Sequence, residues 1–118
     1  MRRGRAKATG PGTGRCRVYV IQLDRAVLKE RAFVRENPRY VPGKLCLYVG
    51  STCLAPEERL GRHLIGRKAN RFVYRYGVRL RPDFYHMYPP MTRDEAELTE
   101  RELALELRAE GFGVWFAV

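Results

Sequence analysis

Five side chains in this 118-residue sequence have types and spacings that could do chemistry: Tyr19, Tyr48, Arg59, His63 and Glu100. The two tyrosines sit in short β-branched runs, Arg15 to Leu23 and Leu45 to Val49, and the second run, in KLCLYVGST, ends abruptly at Gly50-Ser51-Thr52. Arg59 and His63 are four residues apart, so one helix face carries both. Glu100 falls inside an apolar stripe of Ala96, Leu103 and Leu107. A carboxylate there costs free energy unless something pairs with it. It could form a buried ion pair with Arg59, lie exposed at the edge of the stripe, or bind a hard cation. The ordinary alternatives for the others are two core aromatics, a surface arginine, and a histidine capping the packing edge made by Leu60 and Leu64.

The charge says what such a site would meet. Lys plus Arg number 23 against 13 for Asp plus Glu, a net charge of +10. A polyanion is the natural partner of such a chain, and nucleic acid is the commonest. The charge is also sorted along the chain. From Pro56 to Arg81 there are eight basic residues and two acids; from Met91 to Glu110 there are seven acids and three bases. One segment is suited to phosphate, the other to holding a carboxylate.

The elements that must position these residues follow from pattern and turn chemistry. Residues 1–15 carry five basic residues, no acid and several Gly and Pro, which reads as a basic flexible arm. Residues 16–118 then make a single domain. In the first strand Cys16, Val18 and Val20 face one way and Tyr19, Ile21 and Leu23 the other. Residues 24–43 are a long connection with room for a short helix from Asp24 to Arg35, and Asn37-Pro38 and Pro42-Gly43 are turn signals. Pro56-Glu57-Glu58 opens a helix that Gly66 ends. Asn70 caps a short helix stopped by Gly77, with Phe72, Val73 and Tyr76 on its buried side. Val78 to Tyr88 is extended or irregular. Thr92 to Glu95 has capping-box spacing, and Gly111 terminates the helix that follows. Leu98 and Leu105 lie nearly opposite its apolar stripe, which predicts cover on both faces. Val114 to Val118 is a short strand or packed coil.

Other classes are disfavoured. No apolar run approaches the ~20 residues of a membrane helix, and no apolar segment follows the basic N-terminus as in a secretory signal. Cys16, Cys46 and Cys53 are an odd count without paired spacing, which predicts reduced thiols in a cytoplasmic, intracellular setting. A zinc site with His63 or His86 lacks any tight Cys-x-x-Cys pair.

The order Arg17-Val18-Tyr19, Tyr48-Val49-Gly50, then Arg59 and His63, then a lone Glu100, resembles the GIY-YIG nuclease family. The resemblance runs from Arg17 to Trp115, and LYVGST followed by EERLGRH is its most specific part. It implies an α/β (α+β) fold with a small three-stranded antiparallel sheet flanked by helices. It also implies a DNA endonuclease with Tyr19, Tyr48, Arg59, His63 and Glu100 at the catalytic centre. Glu100 would hold one Mg2+ or Mn2+ ion, and Arg59 would bind the scissile phosphate. Tyr19 is the first choice for general base, its phenolate favoured by Arg59 and the ion; Tyr48 would orient water or phosphate, and the two roles are exchangeable. His63 would donate to a phosphate oxygen or orient a tyrosine. Arg67, Lys68, Arg71 and Arg75 would contact the DNA backbone. With no separate recognition domain in the chain, targeting would come from the 24–43 insertion, the arm, a homodimer or a partner.

Two competing readings remain open. Arginine and valine replace the usual glycine and isoleucine of the first motif, and Phe112 stands where many members have asparagine. Both features favour a binding module of the same fold without turnover. A structural domain whose charge reflects thermal adaptation is the third reading.

Overall fold

In a computed structural model that describes residues 14–64, 66 and 70–116, four strands form one mixed sheet in the order β3-β1-β2-β4. β1 (Arg17–Leu23) and β2 (Cys46–Thr52) are its centre. They pair antiparallel with Tyr19 opposite Gly50 and Ile21 opposite Tyr48. β3 (Gly77–Leu80) adds antiparallel to β1, and β4 (Gly113–Phe116) adds parallel to β2. The three-stranded antiparallel sheet implied by the resemblance is therefore corrected to four strands, one of them parallel. The fourth strand exists because α4 (Arg93–Ala109) and the turn at Gly111 (φ 98°) deliver the tail back alongside β2.

Both faces of the sheet are buried, as the alternation in β1 requires. Tyr19, Ile21, Leu23, Cys46 and Tyr48 pack with Val27, Phe33, Phe72 and Val73 on one face. These come from a 3-10 turn (Arg25–Lys29), α1 (Arg31–Glu36) and α3 (Arg71–Tyr76). Val18, Val20, Leu47, Val49 and Val114 pack against Leu103, Ala104 and Leu107 of α4 on the other. α4 begins with the complete capping box of Thr92 and Glu95. Leu98 and Leu105 are 55% and 45% exposed, so α4 is covered on one face and not on two.

The edge of β4 is closed by a side chain. The buried Asn37 amide donates to the Val114 carbonyl at 3.0 Å, and its oxygen accepts from the Val114 N–H at 2.8 Å. One amide thus satisfies the strand residue as a neighbouring strand would. Gly77 also departs from expectation. Its φ of −65° is not left-handed, and it carries the chain straight from α3 into β3. A Cβ there would lie 2.6 Å from the Val73 carbonyl oxygen, which accounts for the glycine.

The β1–β2 register brings Cys16 opposite Cys53, and the two are joined as a disulfide. This corrects the expectation of three reduced thiols; only Cys46 is free, and it is buried. Separation along the chain carried no hint of the pairing, because only the register makes these residues neighbours. None of the described helices is long and apolar enough to cross a membrane.

Candidate functional site

α2 (Pro56–Leu64) carries His63 to the face of the sheet that holds the two tyrosines. His63 has no exposed surface, and its Nε2 lies 2.9 Å from the Tyr19 hydroxyl. Its Nδ1 accepts the backbone N–H of Asn70 at 3.1 Å. Nδ1 therefore offers its lone pair, and the proton of the neutral ring sits on Nε2. His63 donates to Tyr19, and the phenol's own proton is left to point elsewhere. Asn70 does two jobs here. Its side chain caps α3 by accepting from the N–H groups of Phe72 and Val73, and its backbone fixes the histidine tautomer.

The three rings form one cluster. Tyr19 and Tyr48 have centroids 6.1 Å apart, Tyr19 and His63 6.2 Å, and Tyr48 and His63 5.5 Å. Gly50 makes room for them. A Cβ on Gly50 would sit 2.6 Å from the Tyr19 hydroxyl oxygen and 2.9 Å from Cε2 of Tyr48. The glycine that ends KLCLYVG is thus the floor on which the Tyr19 phenol rests.

Arg59 and Glu100 complete the group. Arg59, one turn before His63 on α2, is half-buried; it hydrogen-bonds Tyr19, and its charge acts on Tyr19, Tyr48 and His63. Glu100 is wholly buried on α4, one turn before Leu103 and Ala104, and its charge reaches both phenols. All five residues expected at the site therefore converge.

Their electrostatics are set first by burial. Burial pushes the Tyr19 phenol up to about 12, with Glu100 adding to it and Arg59 opposing it. Tyr48 is pushed higher still by burial, Tyr19 and Glu100. The expected lowering by Arg59 is thus present but outweighed, because an enclosed phenolate loses more hydration than one guanidinium restores. Burial, then Arg59, holds His63 down at about 4. The ring is neutral at pH 7, in agreement with the accepting Nδ1.

The residues expected to contact a backbone fare differently. Arg71, exposed at the start of α3, lies over the Phe72 ring at 4.6 Å. Arg75 is held at 3.1 Å by Glu30, which also accepts the Tyr76 hydroxyl at 2.6 Å. Arg67 and Lys68 lie outside the described residues, as do residues 1–13 of the expected arm. Phe112 is structural here: its ring meets Phe84 edge-on at 5.4 Å and lies beneath the Lys44 ammonium.

Sequence reading missed one further feature. A cleft of about 380 Å³ opens beside Arg59, lined by Arg15, Arg62 and Arg93 together with Ser51 and Thr52. Its arginines come from three separate segments, so no local motif announced it.

No family model matches the chain, and neither does any curated protein or any solved structure.

Proposed function

We propose that the protein is a metal-dependent endonuclease of the GIY-YIG type that hydrolyses phosphodiester bonds in DNA. One observation carries this reading. Two phenols, a neutral imidazole and a carboxylate are enclosed together where core side chains would otherwise pack, with an arginine joining them to an open cleft. Burying so many polar groups weakens a fold, and such groups cluster where they serve chemistry.

A divalent ion fits the donor set in a restricted way. Among the described residues no three His, Cys, Asp or Glu side chains come together, so a cage made wholly of protein is absent. A single buried carboxylate, Glu100, is the hard oxygen donor suited to magnesium or manganese, with water and phosphate completing the shell. When bound, such an ion supplies Lewis-acid neutralisation of phosphate charge.

The chain's own groups supply the rest. The Arg59 guanidinium presents a planar fork to the non-bridging oxygens of the scissile phosphate. Tyr19, once ionised, takes a proton from the attacking water as its oxygen bonds to phosphorus and the P–O bond to the leaving alkoxide breaks. His63 holds its Nε2–H on the Tyr19 oxygen throughout and so favours the phenolate. It does not serve as the base for Tyr19 while Asn70 occupies Nδ1. Tyr48 orients the water. With one such centre among the described residues, a single copy nicks, and a double-strand break needs a second copy or a second encounter. With Cys16 and Cys53 joined, a DNA substrate is the remaining ground for an intracellular setting.

The test is cleavage of supercoiled and branched DNA with magnesium or manganese. Glu100→Gln should lower the rate about a thousandfold or more, and Arg59→Ala about 10²–10³-fold, with both proteins folded. Cleavage by Glu100→Gln at the parent rate would remove the centre proposed here. The second reading, a binding module without turnover, draws on the phenol held near 12 and on Phe112 built into the packing. It predicts salt-sensitive binding and no cutting.

A further inference from the structure

We infer that the cleft beside Arg59 seats the nucleic-acid backbone next to the reacting phosphate, with Arg15, Arg62 and Arg93 as its phosphate contacts. The inference takes its occupant from the nuclease reading but stands on separate residues. The cleft holds four arginines, counting Arg59, and no acid among its lining residues. Ser51 and Thr52 also line it, and the Thr52 hydroxyl accepts the Leu54 N–H at 3.0 Å.

Outside the cleft, Arg75 meets Glu30, Arg81 meets Asp83 and Arg108 meets Glu36, whereas Arg25 donates to the Gly43 carbonyl and Arg71 lies over the Phe72 ring. In the cleft, Arg62 has Glu58 at 3.4 Å on the same helix. Arg15 and Arg93 are exposed and meet no carboxylate among the described residues. Like charges gathered around one concavity repel each other and focus a positive potential into it. An anion with several phosphates relieves that repulsion, and guanidinium forks match phosphate oxygens in pairs.

The fold also fixes where these charges stand. The Cys16–Cys53 disulfide anchors the residue after Arg15 to the cleft wall, since Cys53 itself lines it. Arg93 opens α4, the helix that carries Glu100, and Arg62 adjoins His63 on α2. A strand laid along the cleft therefore runs toward Arg59 and the buried cluster. This differs from the track through Arg71 and Arg75 expected from sequence.

The test is fluorescence anisotropy of a short labelled DNA duplex against salt, using the full chain in EDTA so that no cutting intervenes. Each phosphate contact contributes about 0.9 to the slope of log affinity against log salt. The Arg62→Gln/Arg93→Gln protein should show a slope about 1.8 smaller. It should consequently lose about tenfold less affinity than the parent between about 50 and 200 mM salt. Arg79→Gln/Arg101→Gln, which removes the same charge from exposed positions on β3 and α4 outside the cleft, should keep the parent slope. An unchanged slope in the cleft variant, an equal drop in the control variant, or no binding by the parent at low salt would each overturn the inference. Binding with the expected slopes but no cleavage on adding metal would leave the cleft standing and remove the nuclease reading instead.

Discussion

Protonating His63 should unfold this protein's centre, and the size of the effect can be worked out without assuming any activity. Burial holds the imidazole at about 4, against 6.5 in the unfolded chain. The unfolded state therefore binds more protons between those values, and stability falls as pH drops through 6.5 toward 4. Holding the imidazole at about 4 instead of 6.5, at about 1.36 kcal/mol per pH unit, means that about 3 kcal/mol is present above pH 6.5 and lost by about pH 4. That is a large share of the ~5–15 kcal/mol that holds an ordinary domain together. The structural origin is plain: a second ring proton would displace the Asn70 N–H from Nδ1 and place a cation beside Arg59. Urea denaturation across this range measures the loss, with His63→Gln as the reference. Glutamine keeps an N–H for Tyr19 but does not titrate, so its curve carries only the other groups. The parent should lose about 3 kcal/mol more than the variant on going from about pH 7 to about pH 4. Parallel curves, or a His63 ring carbon resonance with a midpoint near 6.5, would refute the assigned tautomer and its burial.

Other expectations concern the phenol, its floor, the cation beside it and the disulfide. If Tyr19 is the base, kcat/KM should rise about tenfold per pH unit from about pH 7 to about pH 9, because the free-enzyme phenol lies near 12; a plateau near neutrality would assign the base elsewhere. Gly50→Ala puts a methyl 2.6 Å from the Tyr19 oxygen, so a displaced ring should lower cleavage about 10²-fold and stability by about 1–3 kcal/mol. Adding it to Tyr19→Phe should cost little further activity, and a full second loss would show that it acts on something else. Arg59→Lys should recover little of what Arg59→Ala loses, and cleavage at the parent rate would mean that a point charge suffices there. Reducing Cys16–Cys53, which closes a separation of 37 residues, should lower stability by about 4 kcal/mol in urea titrations, and coincident oxidised and reduced curves would count against the bond.

What could be read from the sequence was local. The alternation in β1 placed Val18 and Val20 on one face and Tyr19, Ile21 and Leu23 on the other, as found. Thr92, Glu95 and Asn70 cap helices through contacts spanning three residues or fewer, and Gly111 carries a left-handed φ. Glu100 announced itself as a charge in an apolar stripe, and it is buried. What failed depended on register between distant segments. β4 is four residues long, and its parallel pairing with β2 joins Cys46 to Gly113, which no local pattern encodes. Asn37 beside Pro38 looked like a turn residue, yet its amide closes the edge of that strand. The double duty of Asn70 was half visible, because a backbone N–H leaves no mark on residue type. The rise of the Tyr19 phenol to about 12 was hidden for a related reason: sequence named the neighbouring arginine but not the degree of enclosure.

Enclosure also shapes how the proposed chemistry can begin. Tyr19, Tyr48, His63 and Glu100 are all buried, whereas Arg59 both touches the phenol and lines the cleft. A phosphate seated in the cleft would meet that guanidinium beside those of Arg15, Arg62 and Arg93. Were Arg59 to leave the phenol entirely, Tyr19 would lose the main influence that lowers its pKa and become harder to ionise. A guanidinium avoids this conflict because its five donors lie in a fixed plane, so one edge can take a phosphate while another N–H stays on the phenol. The Nε2–H of His63 holds the same oxygen from a second direction and does not move with the substrate, since the Asn70 backbone fixes its ring. On the nuclease reading, phosphate capture and preparation of the base would be carried by one arginine with an imidazole as its fixed counterpart, which would give a physical reason for Arg59 and His63 to stand one turn apart on a single helix.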